Sequence, residues 1–369
     1  MEDRTDVFVV GGGPAGLAAA IAARQAGFRV TVADADQPPI EKACGEGLLP
    51  NSLGSLARLG VRLDPRDGAT FKGIRFVDGD AAPEAHFPQE LGRGVRRKTL
   101  HKTLASYAEN CGVRLLWRAR VAATDDQGIL LGRGDRIHTR WIIGADGANS
   151  LVRRWAGLDH RIQDHVRFAY RRHYRVRPRT NCVEVHWGSG AQVYITPVGQ
   201  DEICVAVISD KPRMRVEGAL REFPAIASQI ENREPLGAER GGISCTLKLR
   251  RVWRGRVALL GDAAGCVDAI TGEGLGLAFE QAEALGGALA AGDLKRFGAA
   301  HRRIMRRASL MSKCLLMLGE WPALRQRVMR TLERRPEIFD RLLAGHVGTG
   351  THGELLANGM KLAWHVVTP

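Results

Sequence analysis

The sequence is short of the features that mark membrane-spanning, disulfide-rich and metal-binding proteins. No apolar run reaches spanning length without a charge or a glycine, and the acidic opening MEDRTD lacks the positive start of a secretory signal. The seven cysteines are scattered, with neither a CxxC pair nor a Cys/His cluster, so no disulfide framework or zinc site is readable. These absences predict a cytoplasmic protein with reduced thiols and no metal centre.

Acidic residues are also few relative to basic ones, since 54 Lys and Arg stand against 40 Asp and Glu and give a net charge of +14. The arginines are spread along the chain and no recognised nucleic-acid-binding module accompanies them, so we expect no nucleic-acid partner. Two basic clusters, residues 171–179 and 301–307, are typical of solvated strand and helix faces. Alternatively, the two basic clusters attract an anionic substrate, or the basic C-terminal helix around 301–307 makes a peripheral membrane contact.

Glycine is abundant, with 44 residues in the chain, and a first group of glycines forms a nucleotide-binding pattern near the N terminus. An apolar β-branched run, Val7–Val10, meets glycines at GxGxxG spacing; an alanine-rich helix and a second apolar run follow. Such glycines permit a tight turn, backbone approach to a pyrophosphate and close helix packing, and the helix N terminus adds partial positive charge. The second run ends at an acid placed to accept the adenosine ribose hydroxyls. The predicted cofactor-binding residues are Gly11, Gly13, Pro14, Ala15, Gly16 and Asp34.

A second glycine-rich stretch, GDAAGCVDAITGEGLGLAFEQAE at residues 261–283, indicates how long the cofactor is. A strand of buried character delivers Gly261 and Asp262 to a turn, and a long helix begins near Gly274. A carboxylate at a strand end can accept hydrogen bonds from sugar-like hydroxyls, and free helix amides can face an electron-rich ring edge. A second cradle of this kind in one chain requires a long dinucleotide.

With these motifs the chain resembles the FAD-dependent family of aromatic-ring hydroxylases and geranylgeranyl reductases, over about residues 5–290. The resemblance implies that the turn at 261–262 binds the flavin ribityl chain and that amides of 272–276 lie near flavin N1 and O2. The stretch GADGANS, residues 144–150, is similar to the family's DG motif, and a helix preceded by two arginines is similar to its Arg-bearing helix. The implied FAD contacts are Gly261, Asp262, Gly272, Gly274, Leu275, Gly276, Asp146, Gly147 and Arg97, with Arg96 as second choice for the arginine.

A cysteine-containing loop, CGEGL at residues 44–48, resembles the CG(G/E)GL stretch that passes along the flavin in geranylgeranyl-reductase-like proteins. Cys44 has two functional interpretations, as the donor of a proton to a reduced alkene or as a residue that shapes the substrate pocket. The structural alternative is that a small buried cysteine fits where a larger side chain would clash. We interpret Glu46 as an exposed loop charge, with a pocket acid as the alternative. The predicted catalytic residues are Cys44, Glu46, His186 and Tyr194, within a wider pocket set of Tyr170, His173, Trp187 and Pro197.

The order of helical and strand-like segments predicts an α/β fold with a Rossmann-like FAD-binding domain, an inserted, mostly antiparallel β-sheet substrate domain and a helical C-terminal segment. We assign residues 1–70, 97–160 and 253–293 to the FAD-binding domain, 71–96 and 161–252 to the sheet domain, and 294–369 to the helical segment. Pro322 is expected to interrupt the helical segment. The tail after about residue 343 has only weak periodicity.

The resemblance implies an FAD-dependent oxidoreductase that acts on a small hydrophobic substrate. No second dinucleotide-binding unit appears, so NAD(P)H is expected as a transient electron donor, with a separate reductase or ferredoxin partner as the alternative. We expect a monooxygenase acting on an aromatic or polyketide-like ring, because hydroxylation is the commoner outcome for this architecture. The CGEGL stretch favours the alternative, a geranylgeranyl-reductase-like enzyme that saturates isoprenoid or activated double bonds. A non-catalytic flavin-binding or membrane-associated protein is a third hypothesis, and the sequence predicts no oligomeric state.

Overall fold

The computed structural model describes residues 3–349 and 352–368, which form three sheets and eleven α-helices within that part of the chain. The strands are β1 (Asp3–Val10), β2 (Val30–Ala33), β3 (Gly47–Leu48), β4 (Ala69–Phe71), β5 (Gly73–Val77), β6 (Glu84–His86), β7 (Gly92–Gly94), β8 (Arg114–Leu116), β9 (Val121–Thr124), β10 (Gly128–Leu131), β11 (Arg136–Gly144), β12 (Arg161–Tyr174), β13 (Cys182–Trp187), β14 (Ala191–Gly199), β15 (Glu202–Ser209), β16 (Arg240–Leu249), β17 (Trp253–Arg254) and β18 (Val257–Leu259). The α-helices are α1 (Pro14–Gln25), α2 (Pro50–Arg58), α3 (Arg97–Asn110), α4 (Leu151–Trp155), α5 (Val216–Leu220), α6 (Pro224–Ile230), α7 (Gly274–Ala290), α8 (Leu294–Glu320), α9 (Pro322–Arg334), α10 (Pro336–His346) and α11 (His352–Val367).

The first sheet carries the predicted nucleotide motifs. Its strand order is β17-β18-β11-β1-β2-β8, and β1, β2, β8, β11 and β18 run parallel, with the β9–β10 hairpin added to β11. The apolar run Val7–Val10 is buried on both sides, as a strand covered by helices requires. Because parallel strands present their carboxyl ends at one edge, the segments after β1, β2, β11 and β18 meet there.

The second sheet has seven strands in the order β16-β12-β15-β14-β13-β5-β6. Only the β5–β13 pair is parallel, so the predicted mostly antiparallel sheet is confirmed. Side chains alternate between two faces. The outer face, which carries Val193 and Val205, is covered by α5 and α6. The inner face, which carries Tyr194 and Ala206, packs against Ile270 and against Met329 of α9.

The C-terminal segment is helical, as expected, and Pro322 and Pro336 each occupy the first turn of a new helix, where proline is tolerated. Helices α9, α10 and α11 contribute apolar side chains to one core together with Phe71 and Phe87. The weakly periodic tail, which is part of the predicted helical segment but marks no separate helix, forms α11. None of the described helices combines the length and the apolarity needed to cross a membrane.

Candidate functional site

The glycines after β1 have three different surroundings. A Cβ on Gly16 would lie 1.9 Å from the Gly11 carbonyl oxygen, and one on Gly11 would lie 2.4 Å from the carbonyl oxygen of Ala145. A Cβ on Gly13 would meet nothing within 4 Å. Gly13 is the N-cap of α1 and no side chain caps this helix, so its first amides face open space. This geometry fits an anion such as a pyrophosphate.

The acid at the end of β2 lies beside this glycine turn. The Oδ2 atom of Asp34 accepts a hydrogen bond from the amide of Gly12 at 2.6 Å. On the other side of the turn, Nε2 of the buried His101 lies 2.8 Å from the Gly12 carbonyl oxygen. Burial lowers the pKa of His101, which favours a neutral ring that donates to that carbonyl. His101 supports the glycine turn from α3. In the sequence, only its position one helical turn after Arg97 could have indicated this role.

The second glycine-rich stretch packs directly on the first. Gly261 has a φ of +60°, and a Cβ there would lie 2.8 Å from the Cβ of Ala15 in the first turn of α1. The amide of Gly261 donates to Oε1 of Gln281 at 2.9 Å, which fixes the turn against α7. The two predicted cradles therefore form one continuous site.

The carboxylate of Asp262 lies at the open side of this turn. It accepts a 2.7 Å hydrogen bond from Nζ of Lys42, and its charge raises the pKa of Lys42. Beyond it, Cβ atoms on Gly272 and Gly274 would meet nothing within 4 Å, and the N terminus of α7 has no side-chain cap. Leu275, in contrast, packs on the core and Gly276 packs on Ser52 of α2.

The DG turn after β11 has a local structural role. The carboxylate of Asp146 accepts hydrogen bonds from the Ser150 hydroxyl and from the amide of Leu151 at 2.7 Å, and the next residue, Gly147, has a φ of +81°. Ser150 in turn caps α4 by accepting from the amide of Arg153. A contact of Asp146 or Gly147 with the cofactor stays a prediction.

The two arginines at the start of α3 have different partners. Arg96 donates from Nε to Glu202, so its guanidinium is already paired. Nε of Arg97 is buried and has no hydrogen-bond partner among the described residues. An unpaired buried donor is costly, and an acidic or carbonyl group of a ligand would satisfy it. This difference favours Arg97 over Arg96 as the cofactor contact.

Glu46 is buried, with 2% of its surface exposed, so the interpretation as an exposed loop charge is wrong. Its Oε2 lies 2.6 Å from Nε2 of His173, its Oε1 accepts from the amide of Arg97 at 2.9 Å, and Arg171 lies 3.6 Å away. The buried charge is tolerated because β12 brings a guanidinium and an imidazole to it. Glu46 also has a φ of +61°, which explains why glycine fits the same position of the resembled motif.

Cys44 lies between these two anchors of the loop. Lys42 ties the loop to Asp262 on one side, and Glu46 ties it to α3 on the other. The half-buried Cys44 accepts at Sγ from the amide of Glu46 at 3.4 Å, and the buried thiol of Cys204 donates to its carbonyl oxygen at 3.8 Å. Cys44 is thus held against the inner face of the sheet, beside the proposed flavin motifs.

The remaining candidates lie on opposite faces of the sheet. Tyr194 lies on the inner face and donates its hydroxyl to the carbonyl oxygen of Ile270 at 3.0 Å, and burial raises its pKa. His186 lies on the outer face, 2.7 Å from Glu184 and edge-on to Phe223. The structure therefore brings Cys44, Glu46 and Tyr194 to one side of the sheet and leaves His186 on the other. Of the wider set, His173 and Trp187 face inward and Tyr170 faces outward.

A cleft of ≈ 730 Å³ opens beside the Glu46 network. Its walls carry charges of both signs, including Arg96, Arg175 and Glu202, while Leu236 and Ala238 are its apolar members. Such walls suit a polar ligand and not a hydrocarbon chain.

The Glu46 network can be tested by substitution with glycine. Glu46→Gly relieves the left-handed backbone strain of about 1 kcal/mol but leaves the buried Arg171 with Glu41 alone. We expect a net loss of about 2 kcal/mol in the free energy of unfolding, measured with urea on the FAD-free protein. Glu41→Gln, which removes the half-exposed partner, is the control and should cost less. A Glu46→Gly protein more stable than wild type would contradict this role.

These residues fit a flavin dinucleotide. Open space lies in front of Gly13, Gly272 and Gly274, the helices that begin there have no side-chain caps, and Arg97 offers an unpaired donor. Asp34 and Asp262 supply acceptors at the two ends of the combined site. No other described part of the chain joins two cradles in this way.

Comparison with known proteins agrees with this geometry. Residues 4–189 match the family model described as FAD binding domain. The chain is 31% identical to menaquinone reductase of Mycolicibacterium smegmatis, over 76% of this chain and 75% of that protein. It is 29% identical to digeranylgeranylglycerophospholipid reductase 1 of Methanothermobacter thermautotrophicus, over 74% of each. The crystal structure of a flavoprotein/dehydrogenase from Cytophaga hutchinsonii superposes with a TM-score of 0.81 at 20% identity, covering 94% of this chain and 93% of that one, and shows the shared fold. The chain belongs to the FAD binding domain family and is an FAD-dependent oxidoreductase of the hydroxylase and geranylgeranyl reductase superfamily.

Proposed function

We propose that this enzyme is a reductase that saturates a carbon–carbon double bond of an isoprenoid lipid or prenylated quinone. The observation that carries the proposal is the loop of residues 41–48, which is tied at Lys42 to Asp262 and at Glu46 to α3, and presents Cys44 between them. The two relatives, both named reductases, support the same reaction class. Monooxygenation, which the sequence favoured on general grounds, stays a prediction that the same assay tests.

In this proposal FAD, when bound and reduced, would supply the hydride. Asp262 would accept from the ribityl hydroxyls, Arg97 would donate to the cofactor's polar atoms, and the α1 N terminus would hold the pyrophosphate. Saturation also requires a proton on the second carbon, and the Cys44 thiol donates it and regains a proton from water. Glu46 acts as a positioning residue, because its two oxygens are engaged by His173 and the α3 amide.

The inner face of the sheet supplies the other wall of the substrate pocket. Small side chains alternate along it, with Ala206 opposite Tyr194 and Cys204 opposite Thr196 on neighbouring strands. We place the substrate where Cys44 meets Cys204, because the stretch at Tyr194 and Ala206 is already packed against Ile270 and Met329. We assign the electron donor, expected to be NAD(P)H, to the polar cleft beside Arg96, because Lys98 and Arg175 on its walls could pair with the donor's phosphates.

The reaction is tested on FAD-loaded protein kept free of oxygen. NADH, NADPH and dithionite are compared as reductants, and a prenylated quinone or a geranylgeranyl lipid is then added while flavin absorbance is followed. We expect anaerobic reoxidation of the flavin and a product that has gained two hydrogens, seen by mass spectrometry. A product that gains an oxygen atom, formed only after air is admitted, would replace the proposal with monooxygenation.

Substitution of Cys44 tests the proton step. In Cys44→Ala we expect retained FAD and unchanged reduction by the electron donor, with turnover of the alkene lowered roughly 100-fold because the general acid is missing. Both half-reactions are followed by stopped-flow absorbance. Cys314→Ser, at an exposed cysteine of α8, is the control. Unchanged alkene turnover in Cys44→Ala would assign Cys44 to packing.

A further inference from the structure

The last helix of the chain is apolar on two sides. Its inward side chains Leu362 and Val366 pack on the core that it shares with α9 and α10. Its outward side chains follow the spacing i, i+4, i+8 and i+11 and are between 58% and 76% exposed: Leu356, Met360, Trp364 and Val367. A single exposed apolar residue needs no explanation, but a four-residue stripe along a helix indicates a binding surface.

The second half of α8 carries a similar stripe. Leu310, Met317 and the C-cap residue Trp321 are 44% to 62% exposed, and the exposed Cys314 completes the spacing i, i+4, i+7 and i+11. We call the outward residues of α8 and α11 together the apolar stripes. Each includes a tryptophan, the side chain that is enriched at the boundary between lipid and water.

Charge is concentrated in the same segment. Residues 294–369 contain fourteen Lys and Arg against five Asp and Glu, so most of the net charge of +14 belongs to the last fifth of the chain. Lys313 and Lys361 are exposed and adjoin Cys314 and Met360 in the chain, and the exposed Arg306 lies one helical turn before Leu310. Arg307 differs, since it is largely buried and lies 3.6 Å from Glu273. The free positive charge therefore borders the stripes and is not confined to residues 301–307.

We propose that the apolar stripes of α8 and α11 dock this enzyme on the surface of a lipid bilayer with anionic headgroups. Apolar side chains with basic neighbours are the two signals that stable peripheral binding requires, and each exposed Lys or Arg adds attraction to anionic lipid. A second copy of the chain is disfavoured as the occupant, because two such basic surfaces repel each other. The surface goes beyond the proposed function and would give the site access to substrates dissolved in the bilayer.

The test measures binding and needs no turnover, so it stands or falls separately from the reductase reaction. FAD-loaded full-length protein is sedimented with vesicles of phosphatidylcholine alone or with phosphatidylglycerol at low salt. The variant is Met360→Glu with Trp364→Glu. The control is Leu91→Glu with Ile243→Glu, which makes the same charge change at two exposed apolar residues elsewhere. Flavin absorbance and melting temperature confirm that each protein is folded.

We expect wild type and control to pellet with the anionic vesicles, and the α11 variant to bind at least about tenfold more weakly. Binding of wild type should weaken as salt is raised, because the basic residues contribute. Wild-type protein that does not pellet, or an α11 variant that pellets as well as the control, would overturn the proposal. A wild-type dimer in light scattering that the α11 variant converts to a monomer, without vesicle binding, would identify a second copy as the occupant instead.

Discussion

Gly13→Val is expected to give a folded protein that retains no FAD. The backbone at Gly13 has φ −70° and ψ 175°, a conformation that valine adopts readily, and a Cβ there would lie more than 4 Å from any atom beyond its chain neighbours. The added methyl groups instead fill the space in front of the α1 amides, where the pyrophosphate must lie. We expect the dissociation constant for FAD to rise at least about 100-fold, equivalent to about 3 kcal/mol. Titration of the FAD-free protein by flavin fluorescence measures it.

The neighbouring Gly16→Val separates cofactor binding from packing. A Cβ there would lie 1.9 Å from the Gly11 carbonyl oxygen, so α1 must move away from β1. We expect this variant to lose about 3 kcal/mol in the free energy of unfolding even without FAD, whereas Gly13→Val should unfold like wild type. If both variants are destabilised equally, Gly13 serves the fold and its assignment to the pyrophosphate is wrong.

The cofactor motifs could be predicted because their signals are local. A strand, a glycine turn and a helix lie within a few residues of each other at each cradle, and the glycines allow either close backbone packing, as at Gly11 and Gly16, or space for the ligand, as at Gly13. The contact between Gly261 and Ala15 could not be measured from sequence, yet the two motifs imply it, since one cofactor must touch both. The two motifs are far apart in the chain, and their proximity in the fold is predicted because one long cofactor must reach both.

Glu46 shows where this reasoning fails. A glutamate in a glycine-rich loop is normally solvated, and its burial depends on Arg171 and His173, which are more than a hundred residues away in the chain. Nothing within the loop signals that β12 will deliver these partners. The motif itself carried one hint, because a position that accepts either glycine or glutamate is one where the backbone adopts the left-handed conformation.

The sequence also could not predict which face of the second sheet each side chain occupies. His186 and Tyr194 lie on neighbouring strands, and alternation along each strand does not give the register between the two. Both faces of this sheet are buried, so polarity does not distinguish them. Helix α11 was missed for a related reason. Apolar residues on two sides of a helix erase the 3.6-residue period that would reveal it.

Asp262→Ala is expected to abolish flavin retention through loss of an acceptor, not through loss of an ion pair. The carboxylate is the one acidic group at the turn that packs on Ala15, and without it the ribityl hydroxyls have no charged partner there. Hydrogen bonds to a charged group are worth about 1.5 to 3 kcal/mol each, so losing two predicts a rise in the FAD dissociation constant of at least about 100-fold. Gel filtration followed by the visible spectrum gives the occupancy.

Lys42→Met isolates the role of the ion pair. The 2.7 Å contact between Lys42 and Asp262 is about half exposed, and such pairs contribute little to stability, so both FAD-free variants should unfold within about 1 kcal/mol of wild type. If Asp262 acts on the ribityl chain, Lys42→Met keeps most of its flavin and the double variant behaves like Asp262→Ala. If Asp262 serves only to hold Lys42 and its loop, the two single variants lose FAD to the same extent. Equal loss of FAD would mean that another group accepts from the ribityl hydroxyls and that the turn at Gly261 serves only to pack α1 against α7.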